Sequence, residues 1–156
     1  MKGEGHMVCL GADIDTDMII AGRYLRTKDR HIWGEHVFED LDPSLAPRLK
    51  GAVLVAGKNF GCGSSREQAA IALKEAGVVA VVAPVFARIF FRNGINLGLP
   101  LIECDLPCKP KSLVRFDLAE GWVETGGKRH MIHPLSPRMQ EILSAGGLVE
   151  FWRSHP

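Results

Sequence analysis

The chain has 156 residues, 46% of them hydrophobic and 24% charged, which suits one soluble globular domain able to bury a core without accessory staples. Nineteen Lys and Arg against eighteen Asp and Glu leave a formal charge of +1, so there is no electrostatic case for nucleic acid. No apolar run is long enough to span a membrane, the first six residues lack a signal-peptide core, and the four cysteines at 9, 62, 104 and 108 are too sparse for a secreted disulfide framework. A cytoplasmic protein with free thiols is expected.

Met7 to Leu10 reads as a first strand. In Asp13-Ile14-Asp15-Thr16-Asp17 acids alternate with other residues, a spacing that puts three carboxylates on one side of an extended segment. A calcium loop would need Gly and Glu where Met18 and Tyr24 stand, which excludes it. Residues 23 to 50 lack clear periodicity. Short helices are expected over Glu35 to Leu41 and Ser44 to Leu49, and mobility over residues 25 to 34.

Residues 52 to 78 hold the densest local signals. Ala52 to Ala56 is an apolar, Val-rich run bounded by glycine, the pattern of a strand buried on both faces. A glycine loop, Gly57 to Gly63, follows. Ser64-Ser65-Arg66-Glu67 then matches a capping box and predicts a helix from Ser64, ended by Gly77. Free N–H groups and the helix dipole favour an anion there, yet Arg66 puts a cation in that first turn. Gripping a carboxylate or phosphate with a planar guanidinium would account for it. Gly61 and Gly63 permit close backbone approach, and Ser64 and Ser65 add hydroxyls. The plainer alternative is that Ser64 only caps and Arg66 is solvated. A dinucleotide fingerprint fails because the third glycine and the following acid are missing, and a Walker loop fails because Lys58 stands at the wrong end.

Val78 to Val82 is the next buried strand, Pro84 starts a helix over Val85 to Arg92 closed by Asn93-Gly94, and Leu99 to Glu103 is a third strand. This alternation implies right-handed crossovers and a parallel sheet, hence an α/β domain. Beyond Pro107, Ser112 to Leu118, Trp122 to Glu124 and Lys128 to Ile132 read as short antiparallel strands. Ser136-Pro137 starts a helix through Leu143, and Leu148 to Trp152 is an apolar tail element. One domain over residues 1 to 156 is expected, with a helical tail from about 137. Cys104, Cys108, His130 and His133 do not have the spacing of a zinc site, and no cysteines are grouped for an iron–sulfur cluster. Cys62 lies just before a helix start, where a thiol can be activated, but a small residue filling a glycine turn is the stronger reading.

GKNFGCGSSREQAAIAL, with DIDTDMIIAGRYLRT upstream and FARIFFRNGINLGLPLIE downstream, resembles the small subunits of 3-isopropylmalate dehydratase and homoaconitase, equivalent to the swivel domain of aconitase. The motifs stand in the family's order, and the likeness covers residues 8 to about 145. It implies a swivel-type β/β/α fold: a mostly parallel central sheet, flanking helices and additional short antiparallel strands. It implies a hydro-lyase that isomerises 2-isopropylmalate to 3-isopropylmalate in leucine synthesis. A larger subunit would carry a [4Fe-4S] cluster, and this chain would bind no cofactor. By the same resemblance Ser64 is the base, Ser65 and Arg66 hold a substrate carboxylate, and Arg26 meets the variable end of the substrate. Asp15, Asp17, Gly61 and Gly63 support them. The YLRT form of the Arg26 loop is associated with homoaconitase-type or broad-specificity enzymes, which keeps a longer tricarboxylate open as substrate. A non-catalytic carboxylate-binding module is the alternative of another class.

Overall fold

The computed structural model describes residues 1–155. Among them seven strands form one sheet: β1 (Lys2–Cys9), β2 (Ala52–Val55), β3 (Ala80–Ala83), β4 (Leu101–Glu103), β5 (Leu113–Asp117), β6 (Trp122–Thr125) and β7 (Lys128–Met131), in the order β4-β3-β2-β1-β5-β6-β7. β1 to β4 pair in parallel, and β5, β6 and β7 continue the same sheet antiparallel from the other edge of β1. The α/β architecture is therefore the expected one, with the short strands fused to the parallel sheet.

β2 (AVLV) and β3 (AVVA) are buried at every position, as their apolar runs require once helices cover both faces. Leu54, Leu73, Leu99 and Leu101 are fully buried around them. Truncating one such leucine to alanine costs about 2–5 kcal/mol. β1 starts five residues before the apolar signal does. Its polar half, Lys2 to His6, pairs with β5, and only His6 to Cys9 pairs with β2. A segment stabilised by a ladder on a half-exposed face leaves little trace in hydropathy.

Among the described residues six helices flank the sheet: α1 (Thr16–Ile19), α2 (Arg30–Glu35), α3 (Glu67–Glu75), α4 (Arg88–Asn96), α5 (Pro137–Ala145) and α6 (Leu148–Ser154). α2 lies upstream of the expected Glu35 to Leu41 helix because Asp29 caps it, accepting from the His31 N–H. Its Gly34 packs so closely on α3 that a Cβ there would come within 2.9 Å of the Glu75 backbone. Ser44 to Leu49 contains only a 3-10 turn, Ala46–Arg48. α4 begins at Arg88 rather than Val85. The Val85 carbonyl accepts from the Asn59 and Phe60 N–H groups, and the Ala87 N–H donates to the Phe60 carbonyl, which keeps Val85 to Ala87 extended. α4 also runs through Asn93-Gly94, where the missing side chain makes room for Leu101.

The expectation of four free thiols is corrected. Cys9 at the end of β1 is bonded to Cys108, with Cα atoms 5.9 Å apart, and Cys62 and Cys104 are free. The chain brings the two together because Lys111 N–H donates to the Met7 carbonyl and Met7 N–H to that of Ser112, laying residues 108–112 along β1. No helix among the described residues is long and apolar enough to cross a membrane.

Candidate active site

Two loops from the C-terminal edge of the parallel strands lie side by side. The Gly61 N–H donates to the Ile14 carbonyl (2.7 Å) and the Thr16 N–H to that of Cys62 (2.9 Å). Thr16, only 2% exposed, donates its hydroxyl to the Ser64 carbonyl at 2.9 Å, and its oxygen stands 3.4 Å from Ser64 Oγ. Gly61 has φ 85°, and a side chain there would overlap the Phe90 ring beneath the loop, so glycine is needed on both counts.

This arrangement overturns two local expectations. Ser64 does not cap the helix: α3 starts at Glu67, Arg66 occupies the cap position, and no side chain accepts from its first N–H groups. The Ser64 carbonyl is instead taken by Thr16 Oγ1 and by the Arg66 N–H, which pulls residues 64–66 out of helical geometry. The three acids of residues 13–17 also do not line one side. Asp13 has φ 57° and accepts from Asn59, Asp15 caps α1 by accepting from the Met18 N–H, and Asp17 pairs with Arg66.

Ser64 and Ser65 are exposed, and with Gly63 and Arg66 they form one wall of a cavity of about 220 Å³. Ala87, Arg88, Ile89 and Asn93 form the other. Both α3 and α4 begin at this cavity, and neither has a side-chain cap, so unpaired N–H groups converge on it from two directions. The Arg66 side chain is 25% exposed, and its guanidinium meets Asp17 and donates to the Ile20 carbonyl at 3.3 Å. Arg88 is exposed and has no acidic partner among the described residues. The site thus has one guanidinium partly neutralised and one free, two hydroxyls, and the half-exposed apolar side chain of Ile89. That set suits a small acid with more than one carboxylate.

Arg26 does not line the cavity. It is exposed in the turn after a 3-10 segment, Gly22–Tyr24, whose first residue lies against the Arg66 guanidinium: a Cβ on Gly22 would be 3.8 Å from Nη2. Burial pushes the Cys62 thiol up, with Asp15 and Asp13 adding to the effect, which is the reverse of an activated nucleophile. A larger open groove of about 360 Å³ on the far side is lined by His31, Glu35, Lys50 and Glu75 and has no such converging hydroxyl and guanidinium groups. Among the described residues no three His, Cys, Asp or Glu side chains group as metal ligands, and the two free thiols do not fit an iron–sulfur cluster.

Comparison with known proteins bears on the segment that builds both walls: the family model described as the aconitase C-terminal domain matches residues 13–105. The chain belongs to the aconitase C-terminal domain family. The 3-isopropylmalate dehydratase small subunit of Ruminiclostridium cellulolyticum is 45% identical over 157 residues, covering 97% of this chain and 96% of that one. Small subunit 1 of the Methanopyrus kandleri enzyme is 50% identical, covering 94% and 89%. The methanogen homoaconitase small subunit of Methanothermobacter thermautotrophicus is 47% identical, covering 95% and 89%. The crystal structure of 3-isopropylmalate dehydratase (LeuD) from Methanocaldococcus jannaschii superposes with a TM-score of 0.93 at 42% identity, covering 99% and 95%.

Within this aconitase-type domain, three cavity residues escaped selection from the sequence. Thr16 sits in the acidic motif, where attention goes to the carboxylates. Arg88 and Asn93 belong to the FARIFFRN segment, but Pro84 predicts a helix start three residues too early, which hides that Arg88 opens it at the pocket.

Proposed function

We propose that the chain is the small subunit of a hydro-lyase that interconverts 2-isopropylmalate and 3-isopropylmalate, working with a larger iron–sulfur subunit. The observation that carries this is the single cavity in which Ser64, Ser65 and Arg66 face Arg88 at the meeting of two uncapped helix starts. The near-full-length likeness to dehydratase small subunits supports the reaction class.

Ser64 is assigned the proton transfer. Its Oγ takes the proton from the carbon next to the one bearing the departing hydroxide, and returns it on the other carbon when water adds back. A serine is a weak base unless positive surroundings favour its anion, and Arg66, Arg88 and the two helix N-termini supply them. Thr16 fixes the Ser64 backbone through the 2.9 Å bond to its carbonyl. Ser65 and Arg66 hold one carboxylate, and Arg88 with Asn93 faces the rest of the acid. Removal of hydroxide is assigned to the partner, since among the described residues no side chains group as metal ligands.

A second substrate is favoured by one observation. Arg26 is exposed with no acidic partner among the described residues, beside the turn that touches Arg66. A free guanidinium there suits an additional carboxylate, as in homoaconitate. Reconstitution with the larger subunit, comparing kcat/KM for both acids, tests the proposal: turnover of neither acid would refute it.

A further inference from the structure

The turn that carries Arg26 is gripped from outside the cavity by one carboxylate. Glu39, in the turns after α2, accepts from the Tyr24 hydroxyl at 2.6 Å and from Arg23 Nη2 at 3.0 Å through the same oxygen, while its other oxygen faces His36 Nδ1. The Tyr24 ring stacks on His36 with centroids 4.2 Å apart and planes 9° from parallel. Arg23 lies over the Tyr24 ring and forks onto Asp40 at 3.0 and 2.7 Å. The backbone is fixed as well: the buried Trp33 donates its indole N–H to the Tyr24 carbonyl at 3.0 Å. On the other side of the same turn the Ile20 carbonyl accepts from Arg66 and Gly22 lies against its guanidinium.

The segment from Ile20 to Tyr24 is therefore tied to Arg66 at one end and to Glu39 at the other, and Arg26 follows two residues on. Isolated surface pairs contribute little, but here one carboxylate holds two donors and a ring nitrogen, each on a different part of the clamp. Displacement of a binding group by about 1 Å is enough to cost large factors in rate. We infer that Glu39 is a positioning residue for substrate specificity: through Tyr24 and Arg23 it sets where Arg26 stands relative to Arg66, and so which end group the acid may carry. The inference rests on Arg26 reading that end group, as proposed above.

The test uses the complex with its larger subunit. The ratio of kcat/KM for isopropylmalate to that for homoaconitate is measured in wild type, Arg26→Val, Glu39→Gln, Tyr24→Phe and the Arg26→Val/Glu39→Gln double variant. All three single substitutions are expected to move the ratio several-fold toward isopropylmalate, and the double variant no further than Arg26→Val alone, because both act through one group. Tyr24→Phe removes a single donor and serves if Glu39→Gln does not fold. A ratio that moves in Arg26→Val but not in Glu39→Gln or Tyr24→Phe, whatever their melting temperatures, overturns the positioning role and leaves the reading of Arg26 standing. A ratio unmoved even in Arg26→Val overturns both, while turnover itself still attests the proposed reaction.

Discussion

The guanidinium of Arg66 meets the carboxylate of Asp17 at the edge of the cavity it is proposed to serve. A substrate carboxylate must therefore compete for a cation that already has a partner. Asp17 is 65% exposed in its side chain, so the pair is a weak one, on the order of 0.2–1 kcal/mol. Asp17→Asn should tighten binding of isopropylmalate to the isolated chain by up to about fivefold. Calorimetric titration checks this, and weaker binding would mean that Asp17 aims Arg66 instead of occupying it.

Ser64→Ala separates proton transfer from helix capping. Because Ser64 caps nothing, the substitution should change stability by no more than about 0.5 kcal/mol while lowering kcat about 10²- to 10⁴-fold, the range for a lost general base. Ser64→Asp should gain no stability either. A clear drop in melting temperature for the alanine variant would restore the capping role.

Arg66→Lys keeps the charge but loses the paired planar contact. The loss of a charge-assisted bond, about 1.5–3 kcal/mol, corresponds to about a tenfold to hundredfold fall in kcat/KM. Steady-state kinetics of the reconstituted enzyme measure it, and unchanged values would return Arg66 to a structural pair with Asp17.

Acid stability should report the clamp on Tyr24. Its bond from the Tyr24 hydroxyl, then those from His36 and Arg23, lower the Glu39 carboxyl from 4.5 to about 2. A lowered folded value means that the contribution is fully present above 4.5 and is lost as pH falls toward 2. Wild type should therefore melt higher than Glu39→Gln at pH 6, with the gap closing between pH 4.5 and 2. Asp40, held down chiefly by its hydrogen bond from Arg23 and pushed up by the charge of Glu39, titrates in the same direction in both proteins, so the difference reports Glu39 together with its coupling to Asp40. A gap independent of pH would contradict the assignment.

What could be read from the chain follows from how local each cause is. β2 and β3 were visible because burial on both faces makes every residue apolar. The glycine loop with Ser64, Ser65 and Arg66 was visible because its chemistry is contiguous. The wrong helix start at Ser64 came from a partner 48 residues away: a capping box needs the serine free, and Thr16 holds its carbonyl. The polar half of β1, the Cys9–Cys108 bond and the grip of Glu39 on Tyr24 are likewise products of tertiary pairing, across separations that spacing rules do not reach. Arg88 joined the site only once the hydrogen bonds of Val85 and Ala87 had delayed α4 to the cavity.

The central claim is that this chain contributes the proton-transferring serine and the carboxylate grip to a reaction completed by an iron–sulfur partner. The most direct measurement is hydration and dehydration of isopropylmalate by the purified chain, by the larger subunit, by their mixture, and by the mixture with Ser64→Ala. Turnover in the wild-type mixture alone is the predicted result. Substantial turnover by this chain without its partner, or by the mixture containing Ser64→Ala, would contradict it.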